Sequence, residues 1–256
     1  MESPLPAPPD AELPATTGRA SRRHAGSLLY GALDLGTNNC RLLLAVPSRA
    51  GFRVVESFSR MVRLGEGIGA TGVLSDSAQA RALEALAACA GRVSRHPVHR
   101  FRAVATEACR RAANGAAFIA RASRETGLAI EVISPREEAE LAVESCLALL
   151  DEPAAEGARR ALLFDIGGGS TEVVLVRIAP GHQPELAGYA SLPAGVITLA
   201  EKFGPAAATP EGFQSMVDHV VQLLSPFEAV HRLADQVFRG GVRLLGTSGT
   251  VTTLAG

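Results

Sequence analysis

Two short stretches of this chain carry the residue types that bind phosphate. Asp34-Leu35-Gly36-Thr37-Asn38-Asn39 and Asp165-Ile166-Gly167-Gly168-Gly169-Ser170 each place an acid at the end of an apolar run, with a glycine two residues later and small residues after it. An Asp at a strand end can hold a metal ion directly or through water. The glycine lets the backbone turn and come close to a phosphate. Successive backbone N–H groups, helped by hydroxyls, then form an anion-binding nest. Each stretch reaches a charged residue seven positions after its Asp, Arg41 in the first and Glu172 in the second, and an apolar run follows each. A matched pair of this kind predicts a duplicated domain. Two such hairpins facing each other would clamp a phosphate chain and its magnesium ion from both sides.

The candidate roles follow from residue chemistry. Thr37, Asn38, Gly168, Gly169 and Ser170 are expected to contact phosphate through N–H and hydroxyl groups. Asp165, with Glu172 as an acidic companion, and Asp34 are candidates for the magnesium shell, since magnesium takes few carboxylates alongside waters and phosphate oxygens. Either Asp reads also as a cap on its own turn. Arg110 is the candidate cationic phosphate ligand, because a guanidinium fork matches phosphate oxygens. Arg41 and Arg63 are secondary candidates, and they read equally as a strand-face and a loop arginine.

These residues need elements to hold them. Leu28 to Asp34, Cys40 to Val46 and Phe52 to Arg60 read as three strands joined by short turns, an antiparallel meander. Ser75 caps a helix whose apolar face includes Leu83, Leu86, Ala90 and Val93. Arg102 to Thr106 and Ala129 to Ile133 read as strands, with a helix at Ala116 to Glu125 between them. Ser134, Pro135 and Glu137 are the N-cap, first position and capping-box partner of a further helix. Asp151 to Arg160 reads as a linker. The second half repeats the order, with strands at Ala161 to Asp165, Glu172 to Arg177 and Glu185 to Ser191. Helices from Ile197 to Phe203 and Pro210 to Leu224 come next, and a strand from Val242 to Leu245 runs into Gly246-Thr247-Ser248-Gly249-Thr250.

Composition narrows the partners. Among 256 residues, 25 Lys and Arg balance 26 Asp and Glu, which argues against a nucleic-acid coat. A polyanionic substrate stays open, because a local arginine cluster is enough to bind one. The four cysteines form no C-x-x-C pair and no zinc spacing. No apolar run is long enough to span a bilayer. Residues 1–27 lack the apolar core of a signal peptide and read as a disordered tail. A cytoplasmic protein with no membrane or nucleic-acid partner is expected.

At the two loops the sequence resembles the exopolyphosphatase and guanosine pentaphosphate phosphohydrolase family, within the superfamily of actin, sugar kinases and heat-shock chaperone ATPases. The second loop, continued to Thr171-Glu172, is the more specific match. Arg63-Leu64-Gly65-Glu66-Gly67, Ala105-Thr106-Glu107-Ala108-Cys109-Arg110, Ile133-Ser134-Pro135-Arg136-Glu137-Glu138-Ala139, Leu192-Pro193-Ala194-Gly195-Val196 and Gly246 to Thr250 are similar to the same family. The resemblance implies an α/β, duplicated ribonuclease H-like (actin-like ATPase) fold with two lobes and an interlobe cleft. The lobes are expected at 28–150 and 151–256, the second incomplete at its C-terminal end. It implies release of terminal phosphate from inorganic polyphosphate or guanosine pentaphosphate, Mg2+ as cofactor, and a homodimer as in relatives.

It also implies that Glu138 is the base that activates water. On the residues alone, Glu138 reads equally as a solvated helix-face carboxylate. Thr247, Ser248 and Gly249 match the superfamily's adenosine loop, or read as a plain strand-turn-helix. Glu107 departs from the family pattern by adding a negative charge beside Arg110, which is expected to weaken phosphate attraction there. A sugar kinase or actin-like ATPase, and a non-catalytic polyphosphate or alarmone sensor, are the alternative functions.

Overall fold

A computed structural model of the chain describes residues 28–49, 51–150, 159–179 and 182–255. The expected tail at 1–27 and most of the expected linker lie outside the described residues. Strands β1 (Leu29–Leu35), β2 (Asn39–Ser48) and β3 (Gly51–Met61) form the expected antiparallel meander. β4 (Val98–Ala105) and β5 (Ile130–Val132) join parallel to β1, giving a sheet in the order β3-β2-β1-β4-β5. Between these strands lie α1 (Ile68–Thr71), α2 (Asp76–Val93), α3 (Glu107–Arg111) and α4 (Gly115–Thr126).

Side chains on a strand alternate between its faces. Leu33 and Leu35 of β1 and Leu42 and Leu44 of β2 therefore share one face, where they meet Ala82, Leu86 and Cys89 of α2 and Phe118 and Ala122 of α4. Leu33, Leu35, Leu44 and Leu86 are each at most 1% exposed, and burying such a side chain contributes roughly 1.5–3 kcal/mol. This core fixes the C-terminal end of β1, and with it the first loop.

The second half repeats the plan with β6 (Arg160–Ile166), β7 (Thr171–Arg177), β8 (Glu185–Leu192) and β9 (Val242–Thr247), in the order β8-β7-β6-β9. β6 pairs antiparallel with β7 and parallel with β9, as β1 does with β2 and β4. Among the described residues this sheet has the first four positions of the five-strand order. The chain thus has the duplicated ribonuclease H-like α/β fold, two lobes around a cleft. Among the described residues no helix is long and apolar enough to cross a membrane.

β7 is packed on both of its faces. Glu172 to Val176 are buried without alternation, so both faces of this strand are covered. α7 (Val196–Phe203), α8 (Pro210–His231), α9 (Leu233–Phe238) and α10 (Ser248–Ala255) complete the helices of this half. On one face Val173 and Leu175 meet Phe227 of α8 and Leu233 of α9. On the other, Val174 and Val176 meet Ala139 and Val143 of α5 (Pro135–Ser145), with Cys146 and Leu150 beyond it. The helix that carries Glu138 therefore packs on the second sheet. α5, expected with the first lobe, thus shares its core with the second sheet. α5 also stops at Ser145, and Leu147–Leu150 forms a separate turn, α6.

Candidate active site

The two loops are built alike down to a single hydrogen bond. β1 and β2 close at the pair Leu35–Cys40, and the N–H of Gly36 donates to the carbonyl of Asn39 at 2.9 Å. β6 and β7 close at Ile166–Thr171, and the N–H of Gly167 donates to the carbonyl of Ser170 at 2.9 Å. The same register sets Asp34 across from Arg41 and Asp165 across from Glu172. The charged residue seven positions after each Asp is thus its cross-strand neighbour. The first pair is of opposite sign. The second joins two acids, an arrangement that is unfavourable unless something compensates it. Glu172 is only 3% exposed, and its Oε1 accepts from the hydroxyls of Ser170 (2.7 Å) and Ser191 (2.9 Å). Burial still holds its carboxyl above the usual range, the hydroxyls offsetting part of that push.

The loops face and touch each other. A Cβ at Gly168 would sit 3.0 Å from Cβ of Asn38, and one at Gly169 would sit 2.6 Å from Oγ1 of Thr37. Thr37 is wedged between Gly169 and Gly65, whose N–H donates to the Thr37 carbonyl at 2.9 Å. Behind the second loop stands the N-terminus of α7. The N–H groups of Val196 and Ile197 donate to the carbonyls of Gly167 (3.0 Å) and Gly168 (2.9 Å), and the Thr198 hydroxyl donates to that of Gly169 (3.2 Å). In a planar trans peptide the N–H points opposite to the C=O. With three carbonyls drawn toward α7, the N–H groups of Gly168, Gly169 and Ser170 on the same peptides point the other way.

The third loop joins them from β9. Thr247 pairs with Asp165. The chain then turns sharply at Ser248, whose φ of 80° is in the left-handed region. The hydroxyls of Ser248 and Thr250 both donate to the Ile166 carbonyl at 3.0 Å, tying this turn to the second loop. Arg41 reaches it from the other lobe, with Nη2 3.2 Å from where a Cβ on Gly249 would sit.

Together the loops enclose a cavity of about 710 Å3, into which Glu138 also faces. Glu138 follows the N-cap Ser134, whose hydroxyl accepts from the Glu137 N–H at 3.2 Å. The expected capping box is half formed, because the Glu137 carboxylate pairs with Arg102 instead of returning to the cap. Burial, and then Glu172, push the Glu138 carboxyl up to about 7, while Arg110 pulls the other way. Asp34 is raised to about 6 by burial, with Asp165 adding to the rise and Arg41 opposing it. Four carboxylates thus share a cavity whose one lining Arg or Lys, among the described residues, is Arg41. Among the described residues no three His, Cys, Asp or Glu side chains converge as a ready-made metal cage.

Every expected site residue lines this cavity except Arg63, Arg110 and Gly169. Arg63 has a φ of 46°, its N–H donates to the Asn38 carbonyl at 3.0 Å, and its guanidinium lies against the Met61 sulfur. It braces the first loop from behind. Gly169 is buried under Thr37. Arg110 is held by Glu107 and the Ile133 carbonyl, and one nitrogen lies 2.8 Å from Glu138.

The sequence reading missed Thr106 and Ser145, which also line the cavity. Ser145 lies seven residues after Glu138, two turns along the same helix face, and that period was the signal. Thr106 follows β4 directly, and its N–H donates to the Leu35 carbonyl at 3.2 Å. Its place beside the first loop depends on a parallel pairing with β1 that no local pattern announces.

The Ppx/GppA phosphatase family model matches residues 45–256, a span holding the second and third loops and Glu138. Several solved structures resemble the chain. An exopolyphosphatase-like protein is 30% identical with a TM-score of 0.74, the match covering 89% of this chain and 68% of that one. An exopolyphosphatase from Cytophaga hutchinsonii is 27% identical with a TM-score of 0.74, covering 89% and 69%. The PPX-GPPA enzyme of Aquifex aeolicus is 28% identical with a TM-score of 0.61, and this chain spans 64% of its length. With the matched residues and the matched architecture together, the chain belongs to the Ppx/GppA phosphatase family.

Proposed function

We propose that this protein is a phosphoanhydride hydrolase that releases terminal phosphate from inorganic polyphosphate or guanosine pentaphosphate. The observation that carries this reading is the convergence of two like-built loops and the Glu138 carboxylate on one cavity. The N–H groups of the second loop and the Arg41 guanidinium bind the anionic chain. Glu138 takes a proton from the attacking water. A carboxyl near 7 suits that task, because a base works best with a pKa close to the working pH. Phosphoryl transfer asks the protein mainly to position the reactants and neutralise their charge.

The acidic groups fit a hard divalent cation. Asp34 and Asp165 repel each other, and Glu172 lies across the strand pair from Asp165. Magnesium needs few protein carboxylates, because it keeps water and takes phosphate oxygens, so a site short of three converging ligands suits it. Asp34, Asp165 and Glu172 are the residues that would hold it, in part through water, and when bound it would supply charge neutralisation on the phosphates.

The test is phosphate release from polyphosphate and from guanosine pentaphosphate, each with magnesium. Wild type is expected to release orthophosphate from at least one. Glu138→Gln is expected to lower the rate by about 10²–10⁴-fold, the usual contribution of a general base. A folded wild-type protein that releases none from either substrate overturns the reading.

A further inference from the structure

The arginine expected to grip phosphate is instead ringed by protein. Nη1 of Arg110 donates to the Ile133 carbonyl at 2.9 Å and lies 2.8 Å from Oε2 of Glu138. The opposite edge of the guanidinium faces Oε2 of Glu107, at 3.3 Å from Nε and 3.1 Å from Nη2. The pair is largely enclosed, the side chains being 14% and 19% exposed, unlike the solvated ion pairs common on helix surfaces.

Glu107 also touches the second loop. A Cβ on Gly169 would come within 3.2 Å of Cγ of Glu107. An unbroken line of contacts therefore runs from the second loop through Glu107 and Arg110 to Glu138. A guanidinium is planar and rigid, so fixing one edge of it fixes the other. At the far end, Oε2 of Glu138 is buried against the cation, 2.8 Å from Nη1. Oε1 is left as the oxygen that can meet a water in the cavity.

We propose that Glu107 is a positioning residue for the hydrolytic step: by pinning Arg110 outside the cavity and against Glu138, it fixes the base relative to the second phosphate loop. The inference rests on the phosphohydrolase reading given above. Glu107 touches no substrate position and acts only through Arg110. Its charge, at odds with a simple phosphate-attracting role for Arg110, is what keeps that arginine occupied.

The experiment measures kcat and KM separately for polyphosphate hydrolysis by the full chain with magnesium. Glu107→Gln keeps the shape of the side chain and removes its charge. It is expected to lower kcat about tenfold while leaving KM within about twofold, because it disturbs the placing of the base and not the binding of the chain. Arg110→Lys keeps a charge but loses the fork that spans both carboxylates, and is expected to show the same split. It carries the decision should Glu107→Gln lose the fold by circular dichroism. In a Glu138→Gln background, adding Glu107→Gln is expected to change the residual rate less than about twofold, as for residues that act through one group. A several-fold change in KM with kcat intact would show that Arg110 contacts substrate and would overturn the proposal. So would an unchanged kcat, or a full further loss in the Glu138→Gln background. A wild type that releases no phosphate removes the phosphohydrolase reading itself and this inference with it. Wild-type turnover with an indifferent Glu107→Gln removes only the inference.

Discussion

Replacing Glu138 with glutamine is expected to stabilise the protein while disabling it. In the folded chain the Glu138 carboxyl is raised from its ordinary 4.5 to about 7, first by burial and then by Glu172, against the pull of Arg110. At about 1.4 kcal/mol for each tenfold change in proton affinity, that rise caps the cost of holding the ionised form at about 3–4 kcal/mol. The side chain keeps 22% exposure, so water screens part of this and about 1–3 kcal/mol is the working figure.

The sign follows from proton counting. Between pH 4.5 and about 7 the folded chain holds the Glu138 proton that the unfolded chain has released, so stability falls as pH rises through this window. Below it both states are protonated and the cost is absent; above it the cost is complete. Glutamine never ionises, and Arg110 keeps Glu107 and the Ile133 carbonyl as partners. Thermal unfolding by circular dichroism, without divalent cations, is the assay. Glu138→Gln is expected to unfold at higher temperature than wild type at pH 8, by about 2–4 °C per kcal/mol for a chain of this size. The gap is expected to close on approaching pH 4.5. A variant less stable than wild type at pH 8, or a gap that ignores pH, refutes the reasoning.

Three further outcomes follow from the same geometry. Gly169→Ala places a methyl 2.6 Å from Oγ1 of Thr37; it is expected to cost about 1–3 kcal/mol in urea unfolding by overpacking and to raise KM for polyphosphate several-fold, and an unchanged KM contradicts the loop contact. Arg41→Ala removes the one Arg or Lys among the described residues lining the cavity; KM is expected to rise while kcat holds, the difference shrinking as salt is raised, and a collapse of kcat with unchanged KM refutes it. Chelating divalent cations with EDTA is expected to abolish phosphate release and added magnesium to restore it, whereas full activity in EDTA removes the assignment of Asp34, Asp165 and Glu172 to a metal shell.

Much of the site was readable because its parts are local. Each loop combines a strand end, a turn and a second strand in one short run, so Asp34 to Arg41 and Asp165 to Glu172 announced themselves as copies. The cross-strand pairing of each acid with the charge seven positions later is a consequence of that same run. Helix starts were equally visible, since Ser75 and Ser134 each accept from an N–H in the first turn as their sequence context suggested. What failed was partnership across distance. The apolar stripe of α5 shows that the helix is buried, but not that its partner is the second sheet. Arg63 and Arg110 were read by what a guanidinium can bind. Both lie outside the cavity lining, Arg63 on a left-handed backbone and Arg110 against a carboxylate one helical turn before it. The second of these was read in advance from Glu107, because residues three apart on a helix are neighbours.

The central claim is that Glu138 directs water onto the terminal phosphorus of a chain held between the two loops. Hydrolysis of polyphosphate in ¹⁸O-enriched water tests this most directly, with wild type and Glu138→Gln compared by mass spectrometry of the released orthophosphate. The account predicts that wild type places solvent oxygen in the released phosphate and that Glu138→Gln slows its appearance by about two orders of magnitude or more. Phosphate released without solvent oxygen, or released as fast by the glutamine variant, contradicts it.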